Sequence, residues 1–386
     1  MTRQPHHLYV HVPFCRLVCA YCDFVTVGGR GPDIPRYVDA LLAELELRPA
    51  PGELRTIYFG GGTPSLLSTD QVARVIEAAV GRWTAVDLSE VTLEANPSER
   101  ERPDWGGLLG AGVTRLSLGV QALDDEDLRA IARGHTAAEA RSAYREARAG
   151  GFANVSIDLI YGIPRQDLAR WERTLEAAIE LGPDHLSLYA LQLALAPDEW
   201  AAPPRRGALR WRQRAIERQD DGLAAEQYRR AEARLASAGY RHYELSSWAR
   251  DGRESQHNAA YWSRRAYTGI GAGAHSYDGA TDRSWNVRDL DAYLAAVAAG
   301  HRPIADRERL DEPTRAFEAV ALGLRRVDGL SRAAFAAEFG VDPVERFADG
   351  LAETADRGLV TLEADAIRLT SEGRLFANEA LLPFAP

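Results

Sequence analysis

The chain has 386 residues, with 46 basic and 56 acidic side chains and a formal net charge of −10. This acidity argues against non-specific binding to nucleic acid, and no apolar run reaches the roughly 18 residues of a membrane-spanning helix. The first residues lack the cationic start, apolar stretch and cleavage site of a secretory signal, so we expect a cytoplasmic protein. All three cysteines lie close together near the amino terminus, which excludes a disulfide framework.

Short apolar segments alternate with longer amphipathic ones over the first 250 residues. The predicted strands are 8–13, 56–59, 90–93, 115–118, 155–160, 185–191 and 240–247. The predicted helices are 36–47, 71–83, 137–149, 168–181 and 223–238, and the sequence STDQ at 68–71 predicts a capping box. The alternation is typical of parallel βαβ units. It predicts an α/β fold with a TIM-like barrel, complete or partial, rather than a doubly wound sheet.

Residues 195–221 interrupt this alternation with several prolines followed by a group of arginines. The arginines stand at positions 205, 206, 210, 212, 214 and 218. A solvated loop that leads into a helix is the simpler interpretation, because runs of charge usually face water. A basic lid over an anionic ligand is the alternative.

The pattern changes beyond residue 301, where helices are predicted at 314–326, 332–339 and 344–357 and a hairpin at 359–362 and 366–369. These elements predict a small winged-helix-like α+β domain. Such domains often bind DNA, but residues 311–381 hold 14 acidic and 8 basic side chains, a balance that opposes a phosphate backbone. We therefore expect it to pack on the barrel or on a partner. The predicted division is a barrel over 1–250, a connecting segment over 251–300 and a C-terminal domain over 301–386.

Cys15, Cys19 and Cys22 follow the first predicted strand with CxxxCxxC spacing. Three thiolates on one loop can hold three corners of a [4Fe–4S] cluster, which usually takes four cysteines. Because the chain has no fourth cysteine, one iron would stay open to a small molecule. A zinc site completed by His7 or His11 is the alternative, although structural zinc sites usually combine two distant ligand pairs, and a redox CxxC pair would leave the third thiol unexplained.

Several later strands end in residues suited to ligand binding. They are the glycine-rich segment 60–65, Glu94, Gln121 with the nearby Arg133, and Asp158. In a parallel barrel the chemistry lies at the carboxyl ends of the strands, so we expect these residues to meet the cysteine loop there. Carboxylates suit an ammonium group or hydroxyls, and arginine suits a carboxylate. The set predicts a site for a ligand that carries all of these groups.

These motifs resemble the oxygen-independent coproporphyrinogen oxidase-like group of the radical S-adenosylmethionine family. The matching segments are residues 9–15, 19–22, 60–65, 112–121, 158–162, 257–262 and 269–275, with Glu94 and Arg133. The resemblance implies a partial (β/α)6 barrel, a [4Fe–4S] cluster on the three cysteines, and S-adenosylmethionine on the open iron. One electron would split that cofactor into methionine and a 5′-deoxyadenosyl radical. The residues implied to border the cluster or S-adenosylmethionine are Tyr9, Tyr21, Phe24, Gly61, Gly62, Thr63, Glu94, Gln121, Arg133 and Asp158.

Two departures from the oxidases place the resemblance in the HemW-type heme chaperone branch. Phe24 stands where the oxidases have a further cysteine, and only 14 residues precede Cys15. The branch implies heme as cargo, hemoprotein acceptors that include membrane-linked respiratory enzymes, an electron donor and a homodimer.

The HNxxYW segment at 257–262 is the implied heme-binding element, with His257 as the candidate iron ligand. A structural role for His257 is the alternative, and His275 is a second candidate ligand. The alternative functions are a coproporphyrinogen III oxidase that forms protoporphyrinogen IX, and a non-catalytic zinc or iron–sulfur protein.

Overall fold

The computed structural model describes residues 4–193 and 207–386, and the predicted lid residues Arg205 and Arg206 lie outside these ranges. The elements of the first range are β1 (Pro5–Val12), β2 (Phe14–Cys15), β3 (Val27–Gly28), α1 (Ile34–Leu47), β4 (Glu53–Gly61), α2 (Thr69–Arg82), β5 (Val86–Ala95), α3 (Trp105–Gly110), β6 (Arg115–Gln121), α4 (Asp125–Ala130), α5 (Ala137–Ala149), β7 (Val155–Tyr161), α6 (Leu168–Leu181) and β8 (His185–Ala190). The elements of the second range are α7 (Ala208–Ile216), α8 (Asp221–Ser237), β9 (Arg241–Glu244), β10 (Ser247–Ala249), α9 (Gln256–Trp262), β11 (Ala266–Ile270), β12 (His275–Tyr277), β13 (Asp282–Asn286), α10 (Leu290–Ala298), β14 (Ile304–Arg309), α11 (Glu312–Leu324), β15 (Leu330–Ser331), α12 (Arg332–Phe339), α13 (Pro343–Arg346), α14 (Ala348–Asp356), β16 (Val360–Leu362), β17 (Ala366–Leu369), α15 (Ser371–Leu375) and α16 (Ala377–Leu381).

Twelve strands form one large sheet in the order β14-β13-β12-β11-β1-β4-β5-β6-β7-β8-β10-β9. The central strands β11, β1 and β4 to β8 all pair in parallel. At least one helix lies between each successive pair of the strands β1, β4, β5, β6, β7 and β8, as the parallel arrangement requires. The sheet keeps two edges, at β14 and β9, so it is open. This architecture confirms the predicted α/β fold with a partial barrel.

Local sequence explains why the helices cover this sheet. In α2 the buried residues Val72, Val75, Ile76 and Ala79 recur at helical spacing and form one apolar face. The predicted capping box at its start is present, because Ser68 Oγ accepts from the backbone of residue 71 and the side chain there bonds back to Ser68 N. None of the helices in the two described ranges combines the length and hydrophobicity that a bilayer crossing requires.

Two local predictions were wrong. The single strand predicted over 240–247 is a hairpin of β9 and β10, because Leu245 N donates to Arg325 O and Leu188 N donates to Ser246 O. The helix predicted over 344–357 is divided into α13 and α14 at Phe347, whose φ of −115° and ψ of 34° leave the helical range. Beyond residue 301 the structure also has β14, a strand that was not predicted, which pairs with β13 and extends the large sheet.

The C-terminal part has its own hydrophobic core. It is built on α11 to α16 and on a three-stranded sheet in the order β15-β17-β16, which contains the predicted hairpin. The core residues are Ala316, Ala319, Val320, Leu324, Leu330, Phe335, Leu351, Leu359, Val360, Ile367, Leu369, Ala380 and Phe384. The backbone bridge between Glu244 and Arg326 joins this part to the hairpin at the edge of the large sheet.

A buried carboxylate on α1 joins several elements behind β1. Glu44 is fully buried and accepts hydrogen bonds from Arg48, Asn286, Tyr293 and the backbone N–H of Gly271, all at 2.7 to 3.0 Å. These partners lie at the C-terminal end of α1, on β13, on α10 and in the turn after β11. The network therefore fixes the strands on one side of β1 to the helices that cover them.

Replacing Glu44 with alanine leaves Arg48 buried without its carboxylate. We expect Glu44→Ala to lower the free energy of unfolding by about 3–5 kcal/mol. Urea denaturation followed by circular dichroism measures this loss. The control Glu46→Ala, on the exposed side of the same helix, should change it by less than about 0.5 kcal/mol. Equal effects of the two substitutions would contradict the role of the network.

Candidate cofactor site

A cavity of about 450 Å³ opens at the carboxyl ends of the central parallel strands. Of the predicted cluster and S-adenosylmethionine residues, all except Tyr9 line it. They are Cys15, Cys19, Tyr21, Cys22, Phe24, Gly61, Gly62, Thr63, Glu94, Gln121, Arg133 and Asp158. The fold therefore brings together residues that are separated by more than one hundred positions in the sequence.

Donors from other parts of the chain face two of the three thiols. The Thr63 hydroxyl donates to Cys15 Sγ at 3.7 Å, and Arg133 Nη1 donates to Cys19 Sγ at 3.3 Å. The third thiol, Cys22, accepts from the backbone N–H of Phe24. Hydrogen bonds to sulfur stabilise thiolates and tune the iron–sulfur clusters that they bind. Each sulfur thus has a donor already in place.

Burial raises the pKa of the Cys15 thiol to about 12 and that of Cys22 to about 11. Both thiols are therefore protonated at neutral pH in the metal-free protein, and metal binding must displace these protons. Three soft sulfur donors that line one cavity, each with a hydrogen-bond donor, fit an iron–sulfur cluster.

A mononuclear zinc site fits these residues less well. Across residues 4–193 and 207–386, no three His, Cys, Asp or Glu side chains are close enough to hold one metal ion. The two histidines considered as a fourth ligand are also engaged elsewhere. His11 Nε2 lies 2.7 Å from Val25 O, and His7 Nδ1 lies 2.8 Å from Thr56 Oγ1. The donor set therefore favours the cluster over zinc.

The arginine-rich segment contributes a residue to this site that sequence reasoning missed. Arg212 on α7 is only 2% exposed. Its guanidinium donates to Ala20 O at 2.9 Å, to Cys22 O at 3.1 Å and to the Asp23 carboxylate at 2.6 Å. Arg212 therefore belongs neither to a solvated surface nor to a lid, because it forms hydrogen bonds with the cysteine loop. The remaining described arginines of the segment, at positions 210, 214 and 218, are exposed.

Glu94 lies at the end of β5 beside the glycine segment that ends β4. Its carboxylate accepts from the Tyr58 hydroxyl at 2.8 Å and from Gly61 N at 3.1 Å. Burial raises the pKa of Glu94 to about 7, although the Tyr58 hydrogen bond opposes this shift. The group can therefore hold or release a proton near neutral pH.

The glycines of the segment are required by the close packing of their backbone. Gly61 has a φ of +113°, and a Cβ atom there would lie 2.5 Å from the ring of His11. A Cβ on Gly62 would lie 2.7 Å from Phe14 O. The sequence predicted that these glycines allow close approach of a ligand. The structure adds a second reason, because they also approach the first strand and the cysteine loop.

The end of β6 is irregular where it meets the cavity. Gln121 has a φ of +67°, which is rare for a residue other than glycine, and the pairing with β7 shifts between Leu118 and Gln121. Such strain and irregularity are concentrated at functional sites. Arg133 Nη2 donates to Gly119 O at 2.6 Å, while its buried Nε has no hydrogen-bond partner in the part of the chain that is described.

Asp158 on β7 also lines the cavity. Its carboxylate accepts from Ser117 Oγ at 3.0 and 3.1 Å and from Ser187, and burial raises its pKa. Arg115 and Tyr189 also line the cavity and were not predicted. Their positions within strands gave no signal that separates them from ordinary sheet residues.

Tyr9 and His257 lie behind the cavity instead of on its surface. The Tyr9 hydroxyl is 3.1 Å from His11 Nδ1. His257 is 0% exposed, with Nδ1 2.7 Å from Thr56 Oγ1 and Nε2 2.9 Å from the Tyr261 hydroxyl. Burial lowers the pKa of His257 well below its usual value, so the ring is neutral.

Both nitrogens of His257 are therefore engaged, as in the structural alternative, and heme ligation by this residue stays a prediction. The neighbouring Asn258 does line the cavity. The HNxxYW segment thus reaches the site through its asparagine.

Known proteins share both the sequence pattern and the fold. The pattern of the Radical SAM superfamily matches residues 9–178, and that of the HemN C-terminal domain matches residues 310–376. The solved structure of coproporphyrinogen III oxidase (HemN) from Escherichia coli superposes with a TM-score of 0.83 at 25% identity, over 99% of this chain and 90% of that one.

Several relatives that match along the whole chain are named heme chaperone HemW. Heme chaperone HemW of Mycobacterium tuberculosis is 37% identical, over 98% of this chain and 94% of the relative. Heme chaperone HemW of Bacillus subtilis is 33% identical, over 97% and 98%, and that of Escherichia coli is 33% identical, over 98% and 97%. With this similarity along its whole length, the chain belongs to the HemW family of the radical SAM superfamily.

Proposed function

We propose that the chain is a heme chaperone, which binds heme and delivers it to acceptor hemoproteins. The observation that carries this proposal is the full-length similarity to relatives named heme chaperone HemW. Phe24 supports it, because this residue stands where the oxidases that the sequence resembles have a further cysteine. The cysteine-lined cavity supports the radical SAM part of the proposal.

The cofactors are a [4Fe–4S] cluster and S-adenosylmethionine, with heme as cargo. When bound, the cluster and S-adenosylmethionine supply one-electron cleavage of a carbon–sulfur bond. Cys15, Cys19 and Cys22 would hold the cluster, and Thr63 and Arg133 would keep their hydrogen bonds to the sulfur atoms of Cys15 and Cys19.

In this proposal, Glu94, Arg133 and Asp158 determine the orientation of S-adenosylmethionine. Glu94, whose pKa of about 7 lets it ionise near neutral pH, accepts hydrogen bonds from the amino group of the methionine part. Arg133 presents its unpaired Nε to the carboxylate. Asp158 accepts from ribose hydroxyls once they replace its serine donors. Gln121 lines the same cavity at the end of β6.

Several partners belong to the proposal as well. They are hemoprotein acceptors, including membrane-associated respiratory enzymes, an electron donor for the cluster and a second copy of the chain in a homodimer. The resemblance to the family supports them, and a cytoplasmic location stays a prediction from the sequence.

The second candidate function is oxygen-independent coproporphyrinogen III oxidase. The close fold similarity to HemN from Escherichia coli favours it. An anaerobic experiment on the reconstituted full chain separates the two candidates by titrating heme and by following coproporphyrinogen III in the same preparation. We expect stoichiometric heme binding and no turnover. Steady formation of protoporphyrinogen IX would contradict the chaperone assignment.

The three cysteines leave no spare ligand for the cluster. We therefore expect Cys15→Ala, Cys19→Ala and Cys22→Ala each to reduce the iron content after anaerobic reconstitution from about four atoms per chain to less than one. Iron analysis and the absorption spectrum measure this loss. The wild-type chain is the control, and four irons retained in any of the variants would refute the assignment of the ligands.

His257 is tested against another residue of the same buried network. If His257 ligates heme, we expect His257→Ala to weaken heme binding at least tenfold while four irons are retained. Thr56→Val removes the hydrogen bond to the same ring but leaves the ring in place, so it should change heme affinity less than about twofold. Heme titration measures both variants. Equal losses, or no loss in either, would assign His257 a structural role only.

A further inference from the structure

The cysteine loop is fixed differently at its two ends. At the first end, Cys15 belongs to β2, which pairs in parallel with β3. At the second end, Cys22 lies outside any strand, and its N–H donates to Cys19 O at 3.2 Å to close a single turn. A turn of this kind leaves the carbonyl groups that follow it to be satisfied from elsewhere.

Arg212 supplies those hydrogen bonds from a distant part of the sequence. Its Nε donates to the carbonyl oxygen of Ala20, and its Nη2 donates to the carbonyl oxygen of Cys22. Nη2 also donates to the Asp23 carboxylate. A planar guanidinium can make these contacts together because its donors are fixed as a fork. The adjacent Trp211 anchors α7 by donating from Nε1 to Ala130 O at 3.0 Å.

We propose that Arg212 is a positioning residue for the iron–sulfur cluster. It fixes the backbone of residues 20–23 so that the Cys22 thiol faces the same cavity as Cys15 and Cys19. This inference rests on the cofactor centre of the proposed function. Arg212 touches no cofactor and acts through the loop.

The charge of Arg212 gives the proposal a second, electrostatic consequence. A cluster with three thiolate ligands becomes more negative when it is reduced, and a cation buried next to one ligand favours that state. Asp23, which is partly exposed, offsets some of this effect through its ion pair with Arg212. Arg212 therefore raises the reduction potential of the cluster, and Asp23 lowers it.

The test compares Arg212→Met with Arg212→Lys and with the controls Arg210→Met and Arg214→Met. The control arginines are exposed on the same helix. Each full-length variant is reconstituted anaerobically without S-adenosylmethionine, and the measurements are iron per chain, the rate of iron loss to a chelator, and the midpoint potential from spectroscopic titration.

We expect Arg212→Met to lose iron at least tenfold faster than the wild type and to have a lower midpoint potential. Arg212→Lys should restore most of the potential but not the retention, because one ammonium cannot span two carbonyls and a carboxylate. Both controls should match the wild type. An unchanged rate and an unchanged potential in Arg212→Met would overturn the proposal.

Asp23→Asn keeps the proposal falsifiable if Arg212→Met does not fold, which circular dichroism of the metal-free protein determines. This variant retains both carbonyl hydrogen bonds, so iron retention should stay within about twofold of the wild type. Its midpoint potential should rise, and an unchanged or lower potential would contradict the role of the Arg212 charge. If the wild type itself takes up no iron, the proposed cofactor centre fails. Four irons in the wild type together with an Arg212→Met variant that matches it would overturn only this inference.

Discussion

Three thiols within eight residues must face one cavity, and the loop that carries them is too short for its own internal contacts to fix its conformation. Its supports are the local β2–β3 pairing and three side chains from distant positions in the sequence, the hydroxyl of Thr63 and the guanidinium groups of Arg133 and Arg212. These supports meet only when the parallel strands and α7 have packed. The cysteine site therefore depends on the completed fold, and cluster assembly requires a protein that is already largely folded.

The parallel sheet explains why so many ionisable groups share this cavity. The carboxyl ends of its strands converge at one edge, so Glu94 and Asp158 lie buried near Arg115 and Arg133. Burial raises the pKa of both carboxylates, and the charge of Arg115 opposes that shift. Glu94, with a pKa of about 7, is thus close to its point of ionisation at neutral pH, where a cationic ligand can decide its state.

Sequence reasoning predicted the strands β1 and β4 to β8 and most of the residues that line the cavity, because these depend on local periodicity and on short motifs. The capping box at Ser68 is one such local feature. Arg212 was not distinguished from its exposed neighbours, since its partners lie about 190 residues away and no spacing encodes that contact. The surroundings of His257 were not predicted for the same reason, because its hydrogen-bond partner Thr56 lies far away in the sequence, on β4. The hairpin of β9 and β10 was predicted as one strand because its turn bonds outward to residues 188 and 325.

The two edge strands of the large sheet are protected from further strand pairing in different ways. At β9, Val327 N donates to Tyr243 O and Leu245 N to Arg325 O, so the C-terminal part occupies the free backbone groups. At the other edge, β14 presents a row of exposed side chains of alternating charge from Asp306 to Arg309. Covered edges and charged edges both prevent strand addition by another chain, a common route to aggregation. Within the described residues, the large sheet therefore offers no edge strand that is both uncovered and uncharged, at which a further strand could be added.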